Sequence, residues 1–163
     1  MKEKIDILLP FMMQSEEAPE EKSLPYELTG LAMNELHRRS HEKIKRLFPD
    51  WPDYETAQRI NAEVQALWQS PYAYALLVAD DAQKRLAREG IQMQLAGKWS
   101  NSYYAFLMDM LCAQPEQTPP ESFQDSPLVL TVEKTHERRC LDKLFLAARK
   151  WGYYLSSDGR LLP

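Results

Sequence analysis

Hydrophobic positions recur at helical spacing over most of residues 27–111, and a β-prone pattern enters after a proline-rich break. From about Glu27 to Phe48, Leu28, Leu31, Ala32, Leu36, Ile44 and Leu47 lie near helical spacing. Pro49, which lacks a backbone N–H, predicts the stop, while Gly30 weakens the first turn. A second helix is predicted over 51–69, where Ala57, Ile60, Val64, Leu67 and Trp68 form one apolar stripe. Asp50 is its expected cap, Pro52 fits the first turn, and Asp53 and Glu55 suit the positive end of the helix dipole. Ser70 and Pro71 start a third helix in the same way. Its first half, Tyr74 to Ala79, is apolar all round and therefore expected at the centre of the core. Its second half is amphipathic and expected to end at Gly90.

The segment Ile91–Leu95 alternates with period two, so a short strand and a continuing helix both fit. Ser100 or Ser102 is expected to cap a further helix with Tyr103, Phe106, Leu107, Met110 and Leu111 on one face. Residues 114–127 hold four of the eleven prolines without periodicity and read as a linker. Beyond them 128–132 is β-prone. Thr135 can cap a helix carrying Leu141, Leu144, Phe145, Ala148 and Trp151, and Gly152 closes it. Residues 152–163 read as a hairpin turning at Asp158-Gly159. The expected fold class is mainly α, within α+β: a bundle of about four helices followed by a small C-terminal β-α-β-β module. The expected division is 1–113 for the helical domain, 114–127 for the linker and 128–163 for the module.

Near the start, Ile5 to Met13 is an apolar run broken by Asp6 and Pro10 with no small-residue cleavage pattern after it, so it reads as a packing segment and not a signal peptide. Residues 14–25 are acidic and read as a loop. No apolar run is long enough to span a bilayer, and the expected address is cytoplasmic without membrane attachment.

Charge changes the picture by its distribution. The 163 residues carry a net −4, but from Pro127 onward seven basic and four acidic groups give a local +3, leaving −7 on the other 126 residues. This weak polarity is consistent with two functional faces. Cys112 and Cys140 lie in helical segments and read as packed free thiols.

Candidate chemistry is sparse. His37 and His41 are four apart, a spacing that would let both reach one metal, but Arg38 and Arg39 lie between them and no third ligand is visible. A solvated face is the better reading, and no metal or other cofactor is expected. Cys140 with His136 has the spacing of a nucleophile and base, yet it lies beside the Leu141/Leu144 stripe and reads as a core thiol. The carboxylate pairs Glu16/Glu17, Glu20/Glu21 and Asp80/Asp81 sit in polar context and are expected to be solvated. No glycine-rich phosphate loop is present among the five glycines. A non-enzyme is the expectation. The pairs Tyr72/Tyr74, Tyr103/Tyr104 and Tyr153/Tyr154 are expected to bury one member each and leave the other for an interface.

The last predicted helix carries the most informative pattern. With Arg139 as zero and about 100° per residue, Lys143 lies at about 40°, Lys150 at about 20° and Leu146 at about −20°, turned away from Leu144 and Ala148. The plain reading is a single exposed leucine. The sharper one is an anchor ringed by charge, meeting an acidic protein partner. Arg139, Lys143, Leu146, Lys150 and Arg160 are the candidate partner-binding residues. The leading expectation is a small intracellular binding protein acting through protein–protein contact, with the profile of immunity- or antitoxin-type inhibitors and of adaptors. The alternative is a nucleic-acid-binding regulator: the helix and hairpin over 135–162 are similar to the recognition helix and wing of winged-helix domains, which implies contacts from Arg139, Lys143, Lys150 and Arg160. The helices that precede a recognition helix in that family are replaced here by the proline-rich segment and the β-prone run. A homodimer through exposed apolar residues is a further partner class.

Overall fold

Helix α3, Tyr72–Arg88, carries an unbroken run of buried side chains from Tyr72 to Asp80, and the other elements are laid around it. The structure, a computed structural model, describes residues 3–9, 26–50, 53–67, 72–111, 115, 128–150, 154–155 and 161–162. The expectations for the acidic stretch 14–25, Pro52, Trp68, Ser70, Pro71, Cys112, the proline-rich stretch apart from Pro115, Trp151, Gly152, Tyr153, the Asp158-Gly159 turn and Arg160 lie outside these residues. In chain order the elements are β1 (Lys4–Leu9), α1 (Tyr26–Leu47), α2 (Tyr54–Leu67), α3, β2 (Gln94–Ala96), α4 (Tyr103–Leu107), β3 (Leu128–Glu133), α5 (Glu137–Lys150), β4 (Tyr154–Leu155) and β5 (Leu161–Leu162). The protein is mostly helical with a small three-stranded antiparallel sheet. Among the described residues no helix is long and apolar enough to cross a membrane.

The helix ends follow local chemistry. Asp53, not Asp50, caps α2: its Oδ1 accepts the Thr56 N–H at 2.7 Å. Ser102 caps α4 by accepting the Ala105 N–H at 3.1 Å, as one of the two expected serines. At the end of α3 the Ile91 N–H reaches the Leu86 carbonyl at 2.9 Å and the Gly90 N–H reaches that of Ala87 at 3.0 Å, a Schellman closure with Gly90 at φ +77°. The same closure ends α4 after one and a half turns, with Asp109 at φ 64°. Met110 and Leu111 therefore leave the helix, although Leu111 still packs against Tyr103, Phe106 and Leu107. Thr135 does not cap α5 either; it lies inside a 3-10 turn, Lys134–His136, ahead of a helix that starts at Glu137.

Gly90 and Gly97 separate two costs of a side chain at positive φ. A Cβ on Gly90 meets nothing within 4 Å, whereas on Gly97 (φ +68°) it meets Val129 Cγ2 at 3.3 Å. Gly90→Ala is expected to lower stability by about 1 kcal/mol through backbone strain alone. Gly97→Ala is expected to lower it by more, as read from urea midpoints at constant slope.

The run after the proline-rich stretch, β3, is the middle strand of the sheet. It pairs antiparallel with β1 on one side (Lys4↔Glu133 through Leu9↔Leu128) and with β2 on the other (Gln94↔Thr131 through Ala96↔Val129). The period-two pattern of each strand sends Ile7, Leu9, Leu95, Leu128, Leu130 and Val132 into the core, where α3 and α5 pack. The apolar run Ile5 to Leu9 is thus a packing segment in strand form, and Ile91–Leu95 resolves into irregular backbone followed by the three-residue β2. Tyr154↔Leu162 and Leu155↔Leu161 pair as the expected terminal hairpin.

Candidate functional site

Helix α5 lies against α3 with Cys140, Leu144, Ala147 and Ala148 inward. Cys140 is a fully buried free thiol whose pKa burial raises to about 11, so it is no nucleophile at neutral pH. Leu146 points away from this seam and is 48% exposed. The candidate cations on its flank meet α3. Arg139 Nη1 lies 3.6 Å from Glu89 Oε1, Lys143 Nζ 3.7 Å from Glu89 Oε2, and Lys150 Nζ 3.8 Å from Asp81 Oδ2. Four of the five candidates therefore share one surface, and three face two carboxylates, Asp81 of α3 and Glu89 just past its end, that sequence reasoning had not placed beside them. Arg85, exposed, follows Asp81 and precedes Glu89 at steps of four residues along the same flank of α3.

Asp81 also ties this surface to an interior charge cluster. Arg39 of α1 reaches Asp80 Oδ2 at 2.8 Å, Asp81 Oδ1 at 2.9 Å and Glu35 Oε1 at 2.9 Å, and Lys84 pairs with Asp80. Asp80 is buried, so the expectation of a solvated Asp80/Asp81 pair fails: two cations replace water around it. The paired Arg38 and Arg39 guanidiniums hold Glu35 down at about 2.

The tyrosine expectation fails more broadly. Tyr72, Tyr74, Tyr103 and Tyr104 are all buried, because α4 is enclosed between α1 and α2 and Tyr72 stacks on Trp99. Only Tyr154 of the third pair is described, and then as a strand residue. Tyr104 places its hydroxyl 3.2 Å from His37 Nδ1, its ring edge-on to the imidazole. Burial lowers the His37 pKa, favouring the neutral ring. Among the described residues no group of three or more His, Cys, Asp or Glu could hold a metal.

No known protein family, curated protein or solved structure matches the chain.

Sequence reasoning also missed a polar centre under α4. On α2 the apolar stripe Ala57, Ile60 and Val64 is only half-buried, while Thr56, Arg59, Glu63 and Leu67 are buried. The inward face is turned about 90° from the apolar one on a helical wheel. The reason is the start of α4: Glu63 Oε2 accepts the Tyr104 N–H at 3.0 Å, and Arg59 donates to the Asn101 carbonyl below the Tyr103 ring. The other end of α4 meets cations, as the helix dipole favours. Lys43 donates to the Phe106 carbonyl at 2.9 Å, and Lys84 to that of Met108 at 2.8 Å. A charged pair four apart inside a helix, Arg59 and Glu63, was the available signal. It reads as a surface pair unless the partner element is known.

Two open grooves border β2, one of about 740 Å³ floored by Met93, Leu95 and Met110 and one of about 290 Å³ rimmed by Lys4, Glu133 and His136. Neither is lined by Glu63 or by the α5 candidates.

Proposed function

We propose that the protein is a non-enzymatic binding protein, an inhibitor or adaptor acting through protein–protein contact on the outward face of α5. The observation that supports this reading is Leu146, about half exposed, amid cations whose side chains are already oriented by Glu89 and Asp81. Pre-ordered side chains lose less rotamer entropy when a partner docks, and an apolar anchor ringed by charge is the arrangement in which a few residues dominate affinity. On this reading Arg139, Lys143, Leu146 and Lys150 form the contact, with Arg160 included from its sequence position alone. On the same reading 1–113, whose β1 and β2 flank β3 and whose α3 backs α5, serves as scaffold for 128–163 across 114–127, and the address is cytoplasmic. Nucleic acid is the weaker alternative, because two carboxylates stand among the same cations and would repel phosphates.

Capture of the tagged protein and of Leu146→Asp from the native host, with nuclease treatment and a high-salt wash, tests this. The expected result is one protein retained near one-to-one by the original chain and reduced about tenfold or more by the variant. Equal retention by both proteins overturns the surface. Loss of everything on nuclease treatment transfers the reading to nucleic acid. Leu146→Asp is expected to leave the thermal midpoint nearly unchanged, since the leucine makes little of the core.

A further inference from the structure

Glu63 is only 2% exposed, and its carboxyl lies where α2 meets the start of α4. One oxygen is well placed: Oε2 accepts the Tyr104 N–H, and the Ser102 hydroxyl and Tyr103 N–H also favour the ionised group. The other, Oε1, is buried without a hydrogen-bond partner among the described residues. The charged and titratable groups facing it are Arg59 from its own helix and Tyr103 and Tyr104 from α4. Behind Tyr104 stands His37 of α1. Lys43 and Lys84 hold the far end of α4 and do not reach the carboxyl.

A neutral acid leaves that oxygen unpartnered at modest cost, whereas a carboxylate concentrates charge on a buried atom to which no described group donates. The ionised form is relieved by letting water reach Oε1, which requires the α2–α4 junction to part. We propose that Glu63 is a proton-operated latch: its neutral form lets α4 close between α1 and α2, and its ionisation loosens that closure. The inference is independent of the contact surface on α5. Burial raises Glu63 to about 7, the largest influence against the hydrogen bonds and Arg59 that lower it, so the latch works around neutral pH.

The sign is fixed by linkage. A carboxyl held at about 7 when closed and at an ordinary 4.5 when opened favours opening increasingly as pH rises between those values. Between pH 5.5 and 8.5 the opening equilibrium is expected to rise about 30-fold. The test uses the intact chain. Amide hydrogen exchange at Tyr104, Ala105 and Phe106, corrected for intrinsic rates, is compared at the two pH values with Leu76–Ala79 of α3 as the internal reference. Loosening confined to α4, absent in Glu63→Gln, is the expected result. The Glu63 carboxyl carbon, followed by NMR in the unmodified protein, is expected to titrate near 7 with the α4 exchange rates rising over the same pH range, a pair of measurements that stands even if the variant fails to fold. A midpoint in the ordinary carboxylate range overturns the proposal. So does unchanged α4 protection, or the same pH trend in Glu63→Gln.

Discussion

Arg39→Ala is expected to lower stability by about 3–5 kcal/mol, because it leaves buried carboxylates without their principal cation. The Arg39 side chain is 12% exposed and that of Asp80 2%, and the guanidinium bridges Glu35 on its own helix to Asp80 and Asp81 on α3. Lys84 still pairs with Asp80 after the change, but among the described residues Asp81 retains only the longer contact to Lys150, at 3.8 Å. Arg38, whose side chain is 71% exposed and pairs with the same Glu35, is the control. Arg38→Ala is expected to move the urea midpoint far less, as the loss of a solvated pair does. Urea denaturation of the two variants checks the contrast. Equal losses would mean that Arg39 is as well solvated as Arg38 and that the cluster does not join α1 to α3. Since Glu35 is held at about 2, its share of the stability is present above the ordinary carboxylate range and falls away as pH drops toward 2.

Trp99→Ala is expected to be similarly costly, about 3–5 kcal/mol, through lost apolar burial and the cavity left behind. Trp99 is fully buried in the 3-10 turn between β2 and α4. Its ring stands 5.1 Å from that of Tyr72, the first residue of α3. The contact links the sheet edge to the start of the central helix, so its loss loosens two junctions at once. For a chain of this size the thermal midpoint is expected to fall by about 10 °C or more. Trp99→Phe, which keeps an aromatic partner for Tyr72, is expected to recover part of the loss. A midpoint within about 2 °C of the original for Trp99→Ala would show that the turn repacks without the indole.

Local features were legible in the sequence because their causes are local. The all-round apolar stretch of α3, the Gly90 stop, the Ser102 cap and the final hairpin each depend on residues within a few positions of one another. The exposed Leu146 followed from helix geometry alone. What escaped has distant causes. Arg39 and Asp80 are 41 positions apart, as are Glu63 and Tyr104, so neither α1 nor α2 carries a local sign of why a charge turns inward. Still longer separations hid the acids opposite Arg139, Lys143 and Lys150, which make that face a mixed surface of both signs. Tyrosine burial failed for a related reason: a helix of five residues has no solvent side when two long helices close over it.

The position of β3 between β1 and β2 also orders events during synthesis. The central strand is made after both of its neighbours, and more than a hundred residues separate it from β1. At about 5–20 residues per second, β1 waits for roughly 6–25 s before its pairing partner exists. Over that interval Ile7 and Leu9 have no sheet to enter, and for its last roughly 2–6 s β2 with Leu95 waits too, so unpaired strand edges are open to other chains. The sheet is thus a late event on the ribosome, and a chain cut off before Leu128 would present its strand segments as sites of aggregation.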